Sequence, residues 1–204
     1  HCPIMPEDHP DGSDIIYVLI TPDKERTFAA DYGVNKQFSM EFIDTDIIAK
    51  SSIMLLEGFM LCSKGGIETM KETIEIANKH KTKVAFCPSD VGIINKFPKE
   101  TAELTDLCDI FISNIHEARA IAQYDSDEDL ASYFAQKKQI CALTRSEKDV
   151  IIGHSRTIKY VPTITLSNDD IINTNGAGDH FSAGFLYGLS QNMDINTSAK
   201  LGVL

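Results

Sequence analysis

"DIINTNGAGDHFSAGFLYGL", residues 170–189, sets an apolar run, a glycine turn and an amphipathic stretch in unbroken succession. Phe181, Phe185 and Leu189 recur at i, i+4 and i+8 with Leu186 beside them, the spacing of one helix face. Gly184 and Gly188 give the same helix a small-residue face for close packing. Gly176 and Gly178 open backbone conformations closed to other residues and let a ligand approach the main chain. Strand, tight turn and helix form the unit from which layered α/β proteins are assembled. The rest of the chain decides whether that unit repeats.

It does. "IMLLE" (53–57) is followed by Ile67, Met70, Ile74 and Ala77 at helical spacing, and "KVAFC" (83–87) by the helix-start residues Pro88, Ser89 and Asp90. "DIFIS" (109–113) runs into "NIHEARAIAQY", and Ser126 caps "DEDLASYFAQKK", whose Leu130, Tyr133 and Phe134 share a face. "ICALT" (140–144), "VIIG" (150–153) and "TIKYV" (157–161) read as further strands. The alternation predicts an α/β layered sandwich with a largely parallel sheet. Upstream the pattern differs. Residues 1–14, with three prolines, read as loop; "IIYVLI" (15–20) and "RTFAADY" (26–32) read as a strand pair joined by the turn "TPDKE". Residues 15–40 are therefore expected to be part of a small β extension, and 41–204 the α/β core.

Bulk composition narrows the function classes. Among 204 residues, 43% are apolar and 24% charged, ordinary values for a globular chain. The net charge of −11, with no run of Lys or Arg, argues against a nucleic-acid partner. A small polyanion is still accommodated, since a few local N–H groups can outweigh the global charge. No run approaches the roughly 18 apolar residues of a membrane span. Cys2, Cys62, Cys87, Cys108 and Cys141 are scattered, odd in number and without zinc or redox spacing, which suits reduced thiols in a cytoplasmic protein.

In open parallel sheets, ligands bind beyond the carboxyl ends of the strands. Three polar signals fall there: Asn114 and Glu117 after "DIFIS", Thr144 at the end of "ICALT", and Gly176-Ala177-Gly178-Asp179. The helix opening at the glycine turn presents unpaired N–H groups and the positive end of its dipole, which suits a phosphate. Asp179 reads in two ways. A first-turn acid commonly just stabilises its helix. Beside an anion site, however, a carboxylate is repelled by the anion and makes sense as an acceptor for the proton of an attacking hydroxyl. Asn114 and Glu117 also have a plain reading, as a capping box on the helix they open.

"NTNGAGDHFSAG" (173–184) resembles the D-T-x-G-A-G-D-x-F-x-x-G signature of the ribokinase-like, or PfkB, carbohydrate and nucleoside kinases, and "NIHE" resembles the family's N-x-x-E motif. "ERTFAADYGVN", "LLEGFML" and "DIFISNIHEA" look closest to the adenosine kinase branch. The resemblance, which extends over roughly residues 15–204, implies a three-layer α/β/α sandwich with a small β lid. It also implies ATP and Mg²⁺ as cofactors and a nucleoside or sugar as acceptor. By position, Asp179 would be the general base, and the N–H groups of Gly176, Ala177 and Gly178 the anion hole. Asn114 and Glu117 would organise Mg²⁺ through its waters, Thr144 would lie in the nucleotide site, and Arg26 of the lid could reach a phosphate. As a bland alternative, Arg26 is a solvated edge charge. His116 and His180 fall at positions the family leaves variable. The expected assembly is a monomer, or a homodimer through the lid.

Three departures stand out. Asn173 replaces the usual Asp, removing a negative charge near the metal and anion site. The T-x-G-x-x-G nucleotide loop reads Thr144-Arg145-Ser146-Glu147-Lys148-Asp149, with both glycines gone. The family's N-terminal substrate-binding glycines and its C-terminal helices are not in the sequence, so the chain is expected to be truncated at both ends. Two functions follow from these observations: an ATP-dependent kinase acting on a primary hydroxyl, adenosine favoured, or a weak or inactive relative that retains ligand binding. A dinucleotide-binding oxidoreductase fits poorly, because the glycine spacing is not G-x-G-x-x-G and no acid follows about 20 residues on.

Overall fold

The structure, a computed structural model, describes residues 10–21, 26–137, 140–167, 171 and 174–204. Among these, six strands form one sheet in the order β3 (Ile53–Glu57), β4 (Lys83–Cys87), β5 (Ile110–Asn114), β6 (Ile140–Arg145), β7 (Lys148–His154) and β8 (Thr157–Val161). The first four are parallel and the last two antiparallel. Parallel neighbours need a crossover, and helices provide it. α2 (Gly66–His80) links β3 to β4, α3 (Val91–Lys96) and α4 (Pro98–Leu107) link β4 to β5, and α5 (Ile115–Ala122) and α6 (Asp127–Gln136) link β5 to β6. α1 (Thr45–Lys50) precedes β3, while α7 (Ala177–Ser190) and α8 (Ile195–Val203) end the chain.

Side chains alternate across each strand and divide the core into two layers. Val84, Phe86, Phe111, Leu143 and Ile151 face Met70, Ile74, Leu104 and Phe134 of the crossover helices. Ala85, Ile110, Ile112, Ala142 and Ile152 face Phe181, Phe185 and Ala199 of α7 and α8. The small alanines on this second face leave room for the two phenylalanines, which stack with centroids 5.7 Å apart. The helix starts have identifiable causes. Ser126 Oγ accepts from Asp129 N at 3.0 Å, Asp90 Oδ1 from Gly92 N at 2.6 Å, and Pro98 stands in the first turn of α4.

A separate antiparallel pair, β1 (Ile15–Ile20) and β2 (Arg26–Asp31), makes no sheet with the others. Gly33 N donates to Asp14 Oδ1 at 2.7 Å and joins the two ends of the pair, and the exit is tied to the core by Ser63 Oγ donating to Asn35 O at 2.6 Å and Lys64 N to Lys36 O at 3.0 Å. The layered, largely parallel architecture expected from the alternation is therefore present. The strand expected just before Gly176 is not among the described elements: Ile171 lies in none, and Asn173 lies outside the described residues.

Candidate active site

The carboxyl ends of the parallel strands bring polar groups to one rim. Glu57 ends β3 opposite Cys87 of β4, and Asn114 ends β5 opposite Thr144 of β6. α7 starts over this rim. Gly176 caps it at φ 77°, a left-handed conformation in which a Cβ would be strained. Asp179 sits in the first turn and is exposed.

Electrostatics link these groups. Burial pushes the Cys87 thiol up to about 12; a hydrogen bond with Ser182 opposes the rise, and the charges of Glu57, Glu117 and Asp179 add to it. Glu57 opens to solvent, yet loss of hydration raises its carboxyl above the ordinary range, with Asp179 adding to the effect. The charges of three carboxylates on different elements thus bear on one thiol. Crowding of that kind marks a place where a proton acceptor or a cation is wanted.

Asn114 and Glu117 do form the capping box. Asn114 Oδ1 accepts from His116 N and Glu117 N, both at 2.9 Å, while Glu117 accepts from Asn114 N at 3.1 Å and from Asn114 Nδ2 at 2.6 Å. Burial raises the Glu117 carboxyl, and these bonds, with one from Ser113, hold the rise back. Each carboxylate oxygen has a second lone pair beyond the cap, so the plain and the functional readings coexist. No group of three or more His, Cys, Asp and Glu among the described residues could grip a metal directly. The oxygen donors of Asn114 and Glu117 fit a hard cation held through its water shell.

The N-terminal turn of α7 is open. A Cβ on Gly178 would meet nothing within 4 Å, leaving the main chain accessible. Ser182 Oγ donates to Gly178 O at 2.9 Å and lies 3.7 Å from Cys87 Sγ, fixing that turn to the end of β4. Of the expected anion-hole donors, Ala177 N is engaged with Thr174 O at 3.3 Å, a long and weak bond. His180 Nδ1 lies 2.9 Å from Gly176 O, a contact within the same turn. Thr144 stands at an irregularity in the β6–β7 ladder. The loop lacking glycines is a tight hairpin in which Arg145 pairs with Lys148 and Ser146 takes φ 57°. Arg26 begins β2 opposite Ile20; its side chain lies outside the described residues.

Beside this rim lies a cleft of about 240 Å³ between the exit of β2 and the end of β3, lined by Tyr32, Asn35, Lys36, Glu57, Phe59 and Cys62 among others. Cys87 lies outside every motif, whereas Ser182 stands at a variable position of the signature, and Tyr32, Asn35, Glu57 and Phe59 fall within "ERTFAADYGVN" and "LLEGFML" with no role assigned to them. Glu57 and Cys87 end parallel strands, so the criterion that finds Asn114 and Thr144 finds them too. Ser182, Lys36 and Cys62 carry no such mark.

Comparison with known proteins gives one consistent result. The model of the pfkB family carbohydrate kinases matches residues 5–204. A 5-dehydro-2-deoxygluconokinase of Geobacillus kaustophilus is 28% identical over 169 residues, covering 78% of this chain and 50% of its own length. An adenosine kinase of Saccharomyces cerevisiae is 25% identical over 203 residues, covering 94% of this chain and 59% of its own. The crystal structure of adenosine kinase from Sinorhizobium meliloti superposes with a TM-score of 0.89 at 24% identity, over 95% of this chain and 59% of that one. The chain thus spans between half and three-fifths of the length of these relatives.

Proposed function

This chain belongs to the pfkB family of carbohydrate kinases, and on that premise we propose that it forms the catalytic core of an ATP-dependent kinase acting on a primary hydroxyl. The observation that carries the reading is the open N-terminal turn of α7, which carries Asp179 and is fixed to the end of β4 through Ser182 and Cys87. The acceptor lies in the cleft and directs its hydroxyl toward Asp179. Asp179 takes the hydroxyl proton while the oxygen bonds to the γ-phosphorus of ATP, the bond to the β-phosphate oxygen breaks, and ADP leaves. Backbone N–H groups at Gly176–Gly178 face the charge that develops on the transferred group. Mg²⁺, when bound, would neutralise phosphate charge; Asn114 and Glu117 would hold it, and Thr144 would contact the nucleotide.

A ribose-containing nucleoside, adenosine first, fits the cleft best. Tyr32 and Phe59 offer flat apolar faces to a base, while Asn35 and Glu57 offer hydrogen-bonding groups to ribose hydroxyls. The hairpin without glycines favours a second reading, a relative that binds nucleotide and transfers phosphate poorly. Replacing Asp179→Asn in the intact protein separates the two. As general base its loss lowers kcat by about 10²- to 10⁴-fold with ATP binding retained. Turnover within a few-fold of the parent removes Asp179 from that role. ATP·Mg²⁺ binding by the parent, without transfer to any of a panel of nucleosides and sugars, establishes the second reading instead.

A further inference from the structure

The β6–β7 hairpin is fastened from the side away from α7. Cys141 and Leu143 of β6 face the crossover helices and Ala142 faces α7, so alternation turns Thr144 toward α7 and Arg145 toward α6. The ladder between β6 and β7 slips between Leu143 and Arg145. Between the pairs Leu143–Ile151 and Arg145–Lys148, β7 sets two residues, Asp149 and Val150, against the single Thr144 of β6, so the extra residue lies on β7 and that bent strand needs an anchor.

Arg145 supplies one. Its side chain is only 13% exposed, and its Nε donates to Asp149 O across the hairpin at 2.8 Å. One guanidinium nitrogen donates to Asp127 Oδ2 at 3.2 Å, and the group lies 5.4 Å from the centre of the Tyr160 ring. Tyr160 is tied in turn to Glu128, its hydroxyl donating to Oε1 at 2.8 Å. The other oxygen of Asp127 accepts from Arg119 at 2.9 Å, and Arg119 also donates to the carbonyls of Tyr124 and Asp125. One carboxylate at the start of α6 thus bridges a guanidinium from α5 and one from β6. A hairpin without its two glycines is thereby held in one conformation.

We infer that Arg145, clamped by Asp127, is a positioning residue for nucleotide binding: it holds the β7 bulge that lies opposite Thr144, and so keeps Thr144 in place at the nucleotide. The inference rests on the placing of Thr144 in the nucleotide site under the proposed function. Arg145→Met keeps the apolar stem and removes every hydrogen bond; Asp127→Asn removes the charge that holds it. In the intact protein, each raises KM for ATP, Arg145→Met by about tenfold, with kcat at saturating ATP and the acceptor KM within about twofold. The double variant is no worse than Arg145→Met alone, because the two residues act as one clamp. Arg145→Lys recovers part of the loss, pairing with Asp127 but not bridging to Asp149, and keeps the test open if Arg145→Met fails to fold. Equal rises in both KM values, a fall in kcat at unchanged KM for ATP, or additive effects overturn the inference. If the parent transfers phosphate to no acceptor, the proposed kinase activity fails separately. Calorimetry with ATP·Mg²⁺ then decides: about tenfold weaker binding by Arg145→Met supports the clamp, and unchanged affinity refutes it.

Discussion

Two glycines of α7 should respond to alanine with opposite signs. At Gly184, an added Cβ would lie 2.5 Å from Leu201 O, 2.8 Å from Leu201 C and 2.9 Å from Gly202 Cα. All three atoms are main chain of α8, so no side chain can swing away. Overpacking of this kind costs about 1–3 kcal/mol, and a clash against backbone belongs at the upper end. Alanine gains back about 1 kcal/mol of helix propensity, leaving a net loss of about 2 kcal/mol. For a chain of this size that lowers Tm by about 4–8 °C. At Gly178, in the same helix, a Cβ would touch nothing within 4 Å, so only the propensity gain applies. Gly178→Ala should leave Tm unchanged or raise it by about 1–4 °C. Thermal unfolding of the two variants beside the parent, followed by circular dichroism, is the assay. If Gly184→Ala melts at or above the Tm of Gly178→Ala, the close α7–α8 crossing is wrong, and with it the way α8 props the helix carrying Asp179.

Glu57→Gln should stabilise the protein at neutral pH. A carboxyl raised in the folded state favours folding most below its unfolded value near 4.5, and that advantage is lost as pH rises through the folded value. The amide escapes this loss, so melting curves should separate at pH 7 and converge near about pH 4; a variant less stable than the parent at pH 7 contradicts the crowding around Asp179. Glu117→Gln should cost about 1–2 kcal/mol, because its amide nitrogen would face Asn114 Nδ2 or the Asn114 N–H, and urea unfolding measures it. Cys87, raised to about 12, is only about one part in 10⁴ thiolate at pH 8. Both thiols are half-buried, so native protein should take iodoacetamide faster at Cys62, in the cleft, than at Cys87, as peptide mass spectrometry reads; equal rates refute the raised thiol of Cys87.

The layered architecture was legible because its signals are local. "KVAFC" and "DIFIS" are strands buried on both faces and so read as continuous apolar runs, "IMLLE" is an apolar edge strand beside them, and helical spacing lies between them. The capping box is equally local, since Asn114 and Glu117 stand three residues apart on one turn. What escaped depends on register and crossing. Glu57 lies opposite Cys87 only because β3 and β4 pair in one particular alignment. Cys87 reaches Ser182 only because α7 crosses the far face of the sheet. Neither pairing leaves a trace within a window of residues. The cleft depends further on how the exit of β2 is tied to residues 63 and 64, a contact between segments nearly thirty residues apart.

The loss of glycine from the β6–β7 hairpin shows how a departure from a motif can be read physically. Glycine in a phosphate- or nucleotide-facing loop serves either close approach or an unusual backbone conformation. Here the second need is met by Ser146 at φ 57°, in the left-handed region that non-glycine residues enter at some cost. A strained turn persists only where its surroundings hold it, and the pairing of Arg145 with Asp127 and Asp149 is such a hold. The missing glycines and the presence of a nearly buried arginine are then linked: a rigid hairpin needs an anchor where a flexible one does not. Glycine introduced at Ser146 should relieve the strain and make the clamp less necessary. Ser146→Gly in the Arg145→Met background should therefore recover stability relative to Arg145→Met alone. If the same replacement stabilises the parent and the Arg145→Met variant equally in thermal melts, the turn and the clamp are independent and the link fails.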